Sequence, residues 1–233
     1  MCGRYVAASP PSTWASYFEV DETVLEAAEP AGPNWNVAPT DPVPAVAVSR
    51  DGHRRLGTFR WGLIPPWADP SIAARLINAR AETVVTKPAF KQAFARHRCL
   101  LPADGFYEWQ RLEGAAKRPW YISRADGAPM AFAGLWEVWR SPTGEARRTC
   151  SIITTTANPL MAPIHDRMPV ILEAADWGSW LAPDNDDVPA LRGLLVPADD
   201  RTLTRHPVST LVNSVRNNGP ELIELSPEVD APR

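Results

Sequence analysis

Cys2, Glu108 and His165 are the residues of this sequence best suited to making and breaking covalent bonds. A cysteine at position two becomes the first residue once Met1 is removed, and removal is favoured when the second residue is small. The chain then begins with a 1,2-aminothiol, which no internal cysteine offers. An aldehyde meeting an α-amine gives a Schiff base, and the neighbouring thiol can close on it as a thiazolidine ring. The α-amine has a reference pKa of about 7.7–8.0, so a useful fraction is neutral near pH 7. The thiol alone could instead act as a hydrolytic nucleophile, and a small second residue also occurs for no chemical reason. Glu108 lies in Gly105-Phe106-Tyr107-Glu108-Trp109, between two aromatics. An apolar setting there would raise its pKa and let it trade protons near neutrality; the alternative is an exposed glutamate on an alternating strand. His165 lies in Pro163-Ile164-His165-Asp166-Arg167-Met168-Pro169, held stiff by bracketing prolines. Histidine is the natural acid or base at pH 7. On extended backbone, however, His165 and Asp166 point to opposite sides and make a poor dyad, so a structural loop histidine is the plainer reading of this segment alone.

Two further stretches suit a phosphate or a base. In Ile77-Asn78-Ala79-Arg80-Ala81-Glu82, alternation puts Asn78, Arg80 and Glu82 on one face. An amide beside a guanidinium can orient a phosphate, although a helix cap with surface charges would look the same. In Trp61-Gly62-Leu63-Ile64-Pro65-Pro66-Trp67, the double proline fixes a turn with Trp67 beside it. An exposed tryptophan there could wedge or stack against a base; base rates favour a buried one.

Composition narrows the class. The chain has 233 residues, 45% hydrophobic and 22% charged, which excludes a disordered, collagen-like or coiled-coil protein. No run of about 18 apolar residues is present, which argues against a transmembrane helix. No basic n-region precedes an apolar stretch, so a cytoplasmic protein is expected. Three cysteines, Cys2, Cys99 and Cys150, are too few for a disulfide framework. They have no zinc-like spacing, so neither metal nor cofactor is expected. Net charge is −3, yet all but three of the 24 basic residues (Lys87, Lys91 and Lys117) are arginine. Arginine suits bidentate phosphate contacts, though a GC-rich genome explains most of them.

These residues need a frame of many short elements, because 25 prolines are spread along the chain. Strands are expected at 4–7, 43–48, 55–61, 99–102, 119–123, 130–135, 149–155 and 193–196. Helices are expected at 11–18, with Ser12 as a plausible cap, and at 88–96 and 174–181, with weaker signals at 21–28 and 220–225. An exposed acidic loop is expected at 184–188. Strands outnumber helices without alternating with them, which predicts an α+β fold with a mostly antiparallel core and short flanking helices. One compact domain over 1–225 and a loose tail over 226–233 follow.

The motifs above recur in a fixed order with Met-Cys-Gly-Arg at the start, Trp35-Asn36-Val37-Ala38-Pro39 and His206-Pro207-Val208-Ser209. Together they resemble the SOS response-associated peptidase (SRAP) family, from Cys2 to about Leu225. The resemblance implies a single β-barrel-like domain that binds single-stranded DNA at abasic sites and links to it through Cys2 as a thiazolidine, shielding the lesion. It also implies autoproteolytic removal of Met1. By matching motif, Asn78 positions the terminus and the sugar-phosphate, Glu108 is the general acid/base, and His165 promotes ring opening and reversal. Arg4, Arg80 and Arg167 hold phosphates, Trp67 and Pro66 stack on or split bases, and Asn36 lines the groove. A monomer is expected, nucleoid-associated when bound to DNA. Two other readings stay open here: a thiol peptidase using Cys2 and His165 on protein substrates, and a non-catalytic single-strand binder.

Overall fold

A computed structural model describes residues 2–23, 32–49, 51–114 and 116–226. Thirteen strands are present among them: β1 (Arg4–Ala7), β2 (Glu22–Thr23), β3 (Asn34–Val37), β4 (Pro42–Val48), β5 (Arg54–Trp61), β6 (Asn78–Arg80), β7 (Arg98–Ala103), β8 (Gly105–Arg111), β9 (Lys117–Arg124), β10 (Met130–Arg140), β11 (Ala146–Thr156), β12 (Arg167–Pro169) and β13 (Leu203–Pro207). Four short helices accompany them: α1 (Pro11–Tyr17), α2 (Lys91–Arg96), α3 (Ala174–Leu181) and α4 (Val188–Gly193).

Strands β11, β10, β7, β4 and β5 hydrogen-bond in that order. A parallel pairing of β11 with β5, Thr149 opposite Arg60 and Cys150 opposite Trp61, closes them into a five-stranded barrel. Closure removes the exposed edges an open sheet would present. A second sheet, β13-β9-β8-β1-β3, is antiparallel throughout. The barrel is filled by apolar side chains such as Leu100, Phe132, Ile152 and Trp61, all fully buried. A smaller cluster of Val6, Tyr107, Tyr121, Val208, Val212 and Leu222 lines the second sheet. The expected α+β fold, mostly antiparallel and barrel-like, is what forms.

The chain passes from barrel to second sheet at Asp104. Its backbone N–H bonds Val6 O at 2.8 Å, and its carboxylate accepts from the N–H groups of Ala8 and Ser9. Gly105 follows because a Cβ there would sit 2.5 Å from the Tyr121 ring, whose hydroxyl donates to Asp104 O. This corner sets the direction of β8, and so of Glu108.

Several sequence expectations give way. Residues 193–196 form no strand: Gly193 ends α4, and a turn follows. The apolar run there is short enough to fit a helix end as well as a strand, and the Asp187 side chain starts the helix by accepting from Ala190 N–H. Accordingly the exposed acidic loop ends at Asp187, and Val188 is already helical. At 21–28, Glu22 and Thr23 are strand, paired with β5; residues 24–28 lie outside the described residues. The helix expected at 88–96 begins at Lys91, after a turn. The segment at 220–225 is a 3-10 turn over Pro220–Ile223, then a bridge from Leu225 to Val208. Helix α1 starts after Pro10, with no side-chain cap from Ser12. The short strands β3, β6, β12 and β13 were hidden because three to five residues carry little periodicity.

Candidate active site

Cys2 precedes β1, which lies between β3 and β8, with Arg4 opposite Tyr107. Its thiol is fully buried. Burial, and then the nearby Glu108 charge, push the thiol pKa well above its usual value. Asn78 reaches the same point from β6: its Nδ2 donates to the Cys2 carbonyl at 2.8 Å. Strand β6 is laid along β11, with Asn78 opposite Ile152, and is pinned by Trp61 Nε1 donating to Ile77 O at 2.9 Å. Asn78 Oδ1 is buried and finds no acceptor role among the described residues. An unpaired buried acceptor is costly, and this one belongs to the side chain that holds the Cys2 carbonyl.

Glu108 comes from β8. It is 3% exposed. Burial raises its carboxyl pKa, and the charge of His165 pulls it part-way back. The three groups proposed for proton and bond chemistry therefore share one electrostatic environment. This is where perturbed carboxylates mark functional sites. The alternative of an exposed glutamate does not hold.

His165 sits in a loop tied down from several sides. Gln110 Nε2, two residues after Glu108 on β8, donates to Pro163 O at 3.1 Å. Arg205 on β13 donates to Leu160 O at 2.5 Å. Asn158 Oδ1 accepts from Met161 N–H at 2.9 Å. The chain bends at Asp166, and the two side chains do not diverge: His165 Nδ1 lies 3.0 Å from Asp166 Oδ1. The Arg167 N–H also donates to Nδ1 at 2.9 Å. With Nδ1 accepting from the Arg167 N–H, it is the backbone that orients the neutral ring, and Asp166 lies beside it. Gln110 was missed, although alternation along β8 puts it on the Glu108 face.

The expected DNA residues divide. Arg80 is exposed on β6 and shares a face with Asn78, with buried Ala79 between them. Pro66 and Trp67 are exposed, Trp67 at 66%. The burial favoured by base rates does not occur, because the turn closed by Ala68 N–H on Pro65 O holds the ring outward. Arg4 is half-buried; one amino group donates to Asn36 Oδ1 at 2.8 Å and Val212 O at 3.0 Å.

Two placements correct the sequence reading. Asn36 is buried and its polar atoms are committed within the protein: its Nδ2 donates to carbonyls of Val212, Ser214 and Asn217 while its oxygen holds Arg4. Arg167 is buried too, its guanidinium forked onto Glu82 and donating to Thr154 O. The pair holds the Glu82 carboxyl below its usual range. Glu82 lies past the end of β6, so it turns to Arg167 instead of joining the Asn78 and Arg80 face.

Gly62 makes the Trp67 loop possible. Its φ is +131°, and a Cβ would fall 2.7 Å from Ala73 O. Gly62→Ala is expected to cost about 1–3 kcal/mol of backbone strain, lowering the thermal midpoint by at least ~2–4 °C in a melt.

Residues 1–215 match the family description SOS response associated peptidase (SRAP). The chain belongs to the SRAP family. It is 46% identical over 226 residues to the abasic site processing protein YoqW of Bacillus subtilis, covering 96% of this chain and 99% of that one. It is 32% identical over 229 residues to the abasic site processing protein YedK of Escherichia coli, covering 96% and 99%. A crystal structure of a Bacteroides thetaiotaomicron protein superposes with a TM-score of 0.84 at 27% identity, covering 97% of this SRAP chain and 100% of the other. Among the described residues, no helix of this SRAP protein is long and apolar enough to cross a membrane.

Proposed function

We propose that this protein recognises abasic sites in single-stranded DNA and joins itself to them through Cys2. The observation that carries the reading is the meeting of Cys2, Asn78, Glu108 and His165, in a chain whose relatives are named abasic site processing proteins.

Removal of Met1, by the chain itself or by a separate peptidase, frees the α-amine. His165 assists opening of the deoxyribose hemiacetal to the aldehyde. The amine nitrogen then bonds to C1′. Glu108, whose burial favours the protonated carboxyl, gives a proton to the departing hydroxyl, and water leaves an iminium ion whose nitrogen keeps one proton. The Cys2 sulfur bonds to C1′, closing the ring, and its proton returns to the Glu108 carboxylate, leaving a neutral secondary amine. One water is lost and nothing is oxidised or reduced. A thiol with a raised pKa suits this order, since the sulfur need not be a free thiolate before the imine forms. The same burial weighs against the peptidase reading, which needs a thiolate near neutrality.

Asn78 anchors the reacting terminus by its bond to the Cys2 carbonyl. Arg80 and the remaining donors of Arg4 hold phosphates, Arg4 being oriented by Asn36. Arg167, committed to Glu82, braces the loop that carries His165. The adduct shields the lesion.

The test is denaturing electrophoresis after mixing with an abasic single strand. A denaturant-resistant band is expected with that strand and not with one bearing tetrahydrofuran, which has no aldehyde. Equal bands from both strands would count against aldehyde chemistry. Trp67→Ala is expected to weaken binding to the tetrahydrofuran strand by the ~1–3 kcal/mol of a lost stacking contact. Its exposed ring supports no core, so the thermal midpoint should hold; an unchanged affinity would remove it from the interface.

A further inference from the structure

A groove of about 790 Å³ opens beside the Trp67 turn, and Pro66 is part of its wall. The residues that matter in it are His97, Trp136 and Glu137, with Arg96 and Arg140 at the rim. His97 stacks on Trp136, ring centroids 4.6 Å apart and planes tilted by 34°. A third of its side chain stays open, at 34% exposure, while its Nδ1 is held 3.2 Å from the buried Glu137 carboxylate. The imidazole is therefore a fixed ring with one face on tryptophan and part of it toward the groove.

The strand frame explains why the groove exists. β7 pairs with β10 only as far as Leu135 opposite Arg98. One more bond follows, Trp136 N–H to His97 O at 2.9 Å. Among the described residues, β10 from Glu137 to Arg140 then pairs with β11 alone, so its other edge is uncovered where α2 ends. Arg96 and Arg140 are both exposed there, and the groove's carboxylates are Asp184 and the buried Glu137.

We infer that this groove takes the single strand next to the lesion, with a base on the His97 ring and phosphates against Arg96 and Arg140. The inference rests on the abasic-site reading above. Arginines for the phosphates beside an aromatic platform for a base are the general way single strands are held without sequence preference, and here the Glu137 carboxylate lies 3.2 Å from the His97 ring nitrogen. Pro66 makes the groove continuous with the proposed lesion-side stacking residue, Trp67, which favours DNA over an extended peptide on the open β10 edge.

The test uses tetrahydrofuran-containing strands, short or lengthened on only one side of the lesion. Wild-type affinity is expected to rise about 10-fold when the correct side is lengthened, the gain from one stacked base plus phosphate contacts. In the Arg96→Glu/Arg140→Glu double variant, both positions being on the surface, that increment should vanish and the salt dependence should flatten. Affinity for the short strand and the rate of adduct formation on a short abasic strand should match wild type. An increment that survives in the double variant, or no increment from either side, overturns the groove assignment alone. A wild-type protein that binds none of the strands and forms no adduct overturns the abasic-site reading with it.

Discussion

Cys2→Ala protein is expected to yield no denaturant-resistant adduct with an abasic single strand, a drop of roughly 100-fold or more in stable product. The α-amine survives in this variant once Met1 is gone. A Schiff base can still form, and borohydride should trap it. The ring cannot close, because the sulfur is missing. The fold should tolerate the change, since a buried free cysteine packs as a small apolar group. Affinity for a tetrahydrofuran strand should stay near wild type. Blocking the α-amine while keeping the thiol should be equally damaging, and that pair of results distinguishes ring formation from thiol hydrolysis. Wild-type yield of stable adduct from Cys2→Ala, without reductant, would remove the sulfur from the reaction.

Glu108→Gln is expected to slow adduct formation by about 10²–10⁴, the usual contribution of a positioned acid or base. Strand affinity should hardly move, because the amide keeps the shape. The stability of this variant carries a second signature. Burial raises the folded pKa of Glu108, so the folded state holds this proton more tightly than the unfolded chain, whose carboxyl titrates near 4.3. The carboxyl then costs the fold stability as pH rises above about 4, and the cost levels off above the folded pKa. At pH 8 the glutamine variant should melt at or above the wild-type midpoint, by about 2–4 °C for each kcal/mol relieved. That advantage should fade as pH falls below about 4. A variant slower in chemistry and more stable at pH 8 is the pattern of a carboxylate kept for function. Equal losses of affinity and rate would instead assign Glu108 to binding.

Much of this was legible in the sequence, and the reasons are local. The long strands β10 and β11 and helix α3 announce themselves by alternation or by helical spacing. Strand β6 does not, because three residues have no measurable period; only the Asn78 and Arg80 alternation hinted at a shared face. Cys2, Asn78, Glu108 and His165 were legible as residue types in a known order of motifs. Their electrostatic meeting was not, because it depends on parallel pairing of β6 with β11 and on the corner at Asp104, both long-range features. The same holds for Arg167 and Asn36. Sequence shows a guanidinium and an amide; only the fold shows Arg167 committed to Glu82, and Asn36 committed to Arg4 and the 212–217 carbonyls. Trp67 went the other way, since a stiff proline turn holds outward a ring that base rates place inside.

Intact mass spectrometry of the purified protein, before and after mixing with an abasic single-stranded oligonucleotide, tests the central claim most directly. The account predicts a protein lacking Met1, followed by a mass gain equal to the oligonucleotide minus one water. A protein that lacks Met1 yet gains no mass would contradict it, leaving the four-residue site without the covalent chemistry assigned to it.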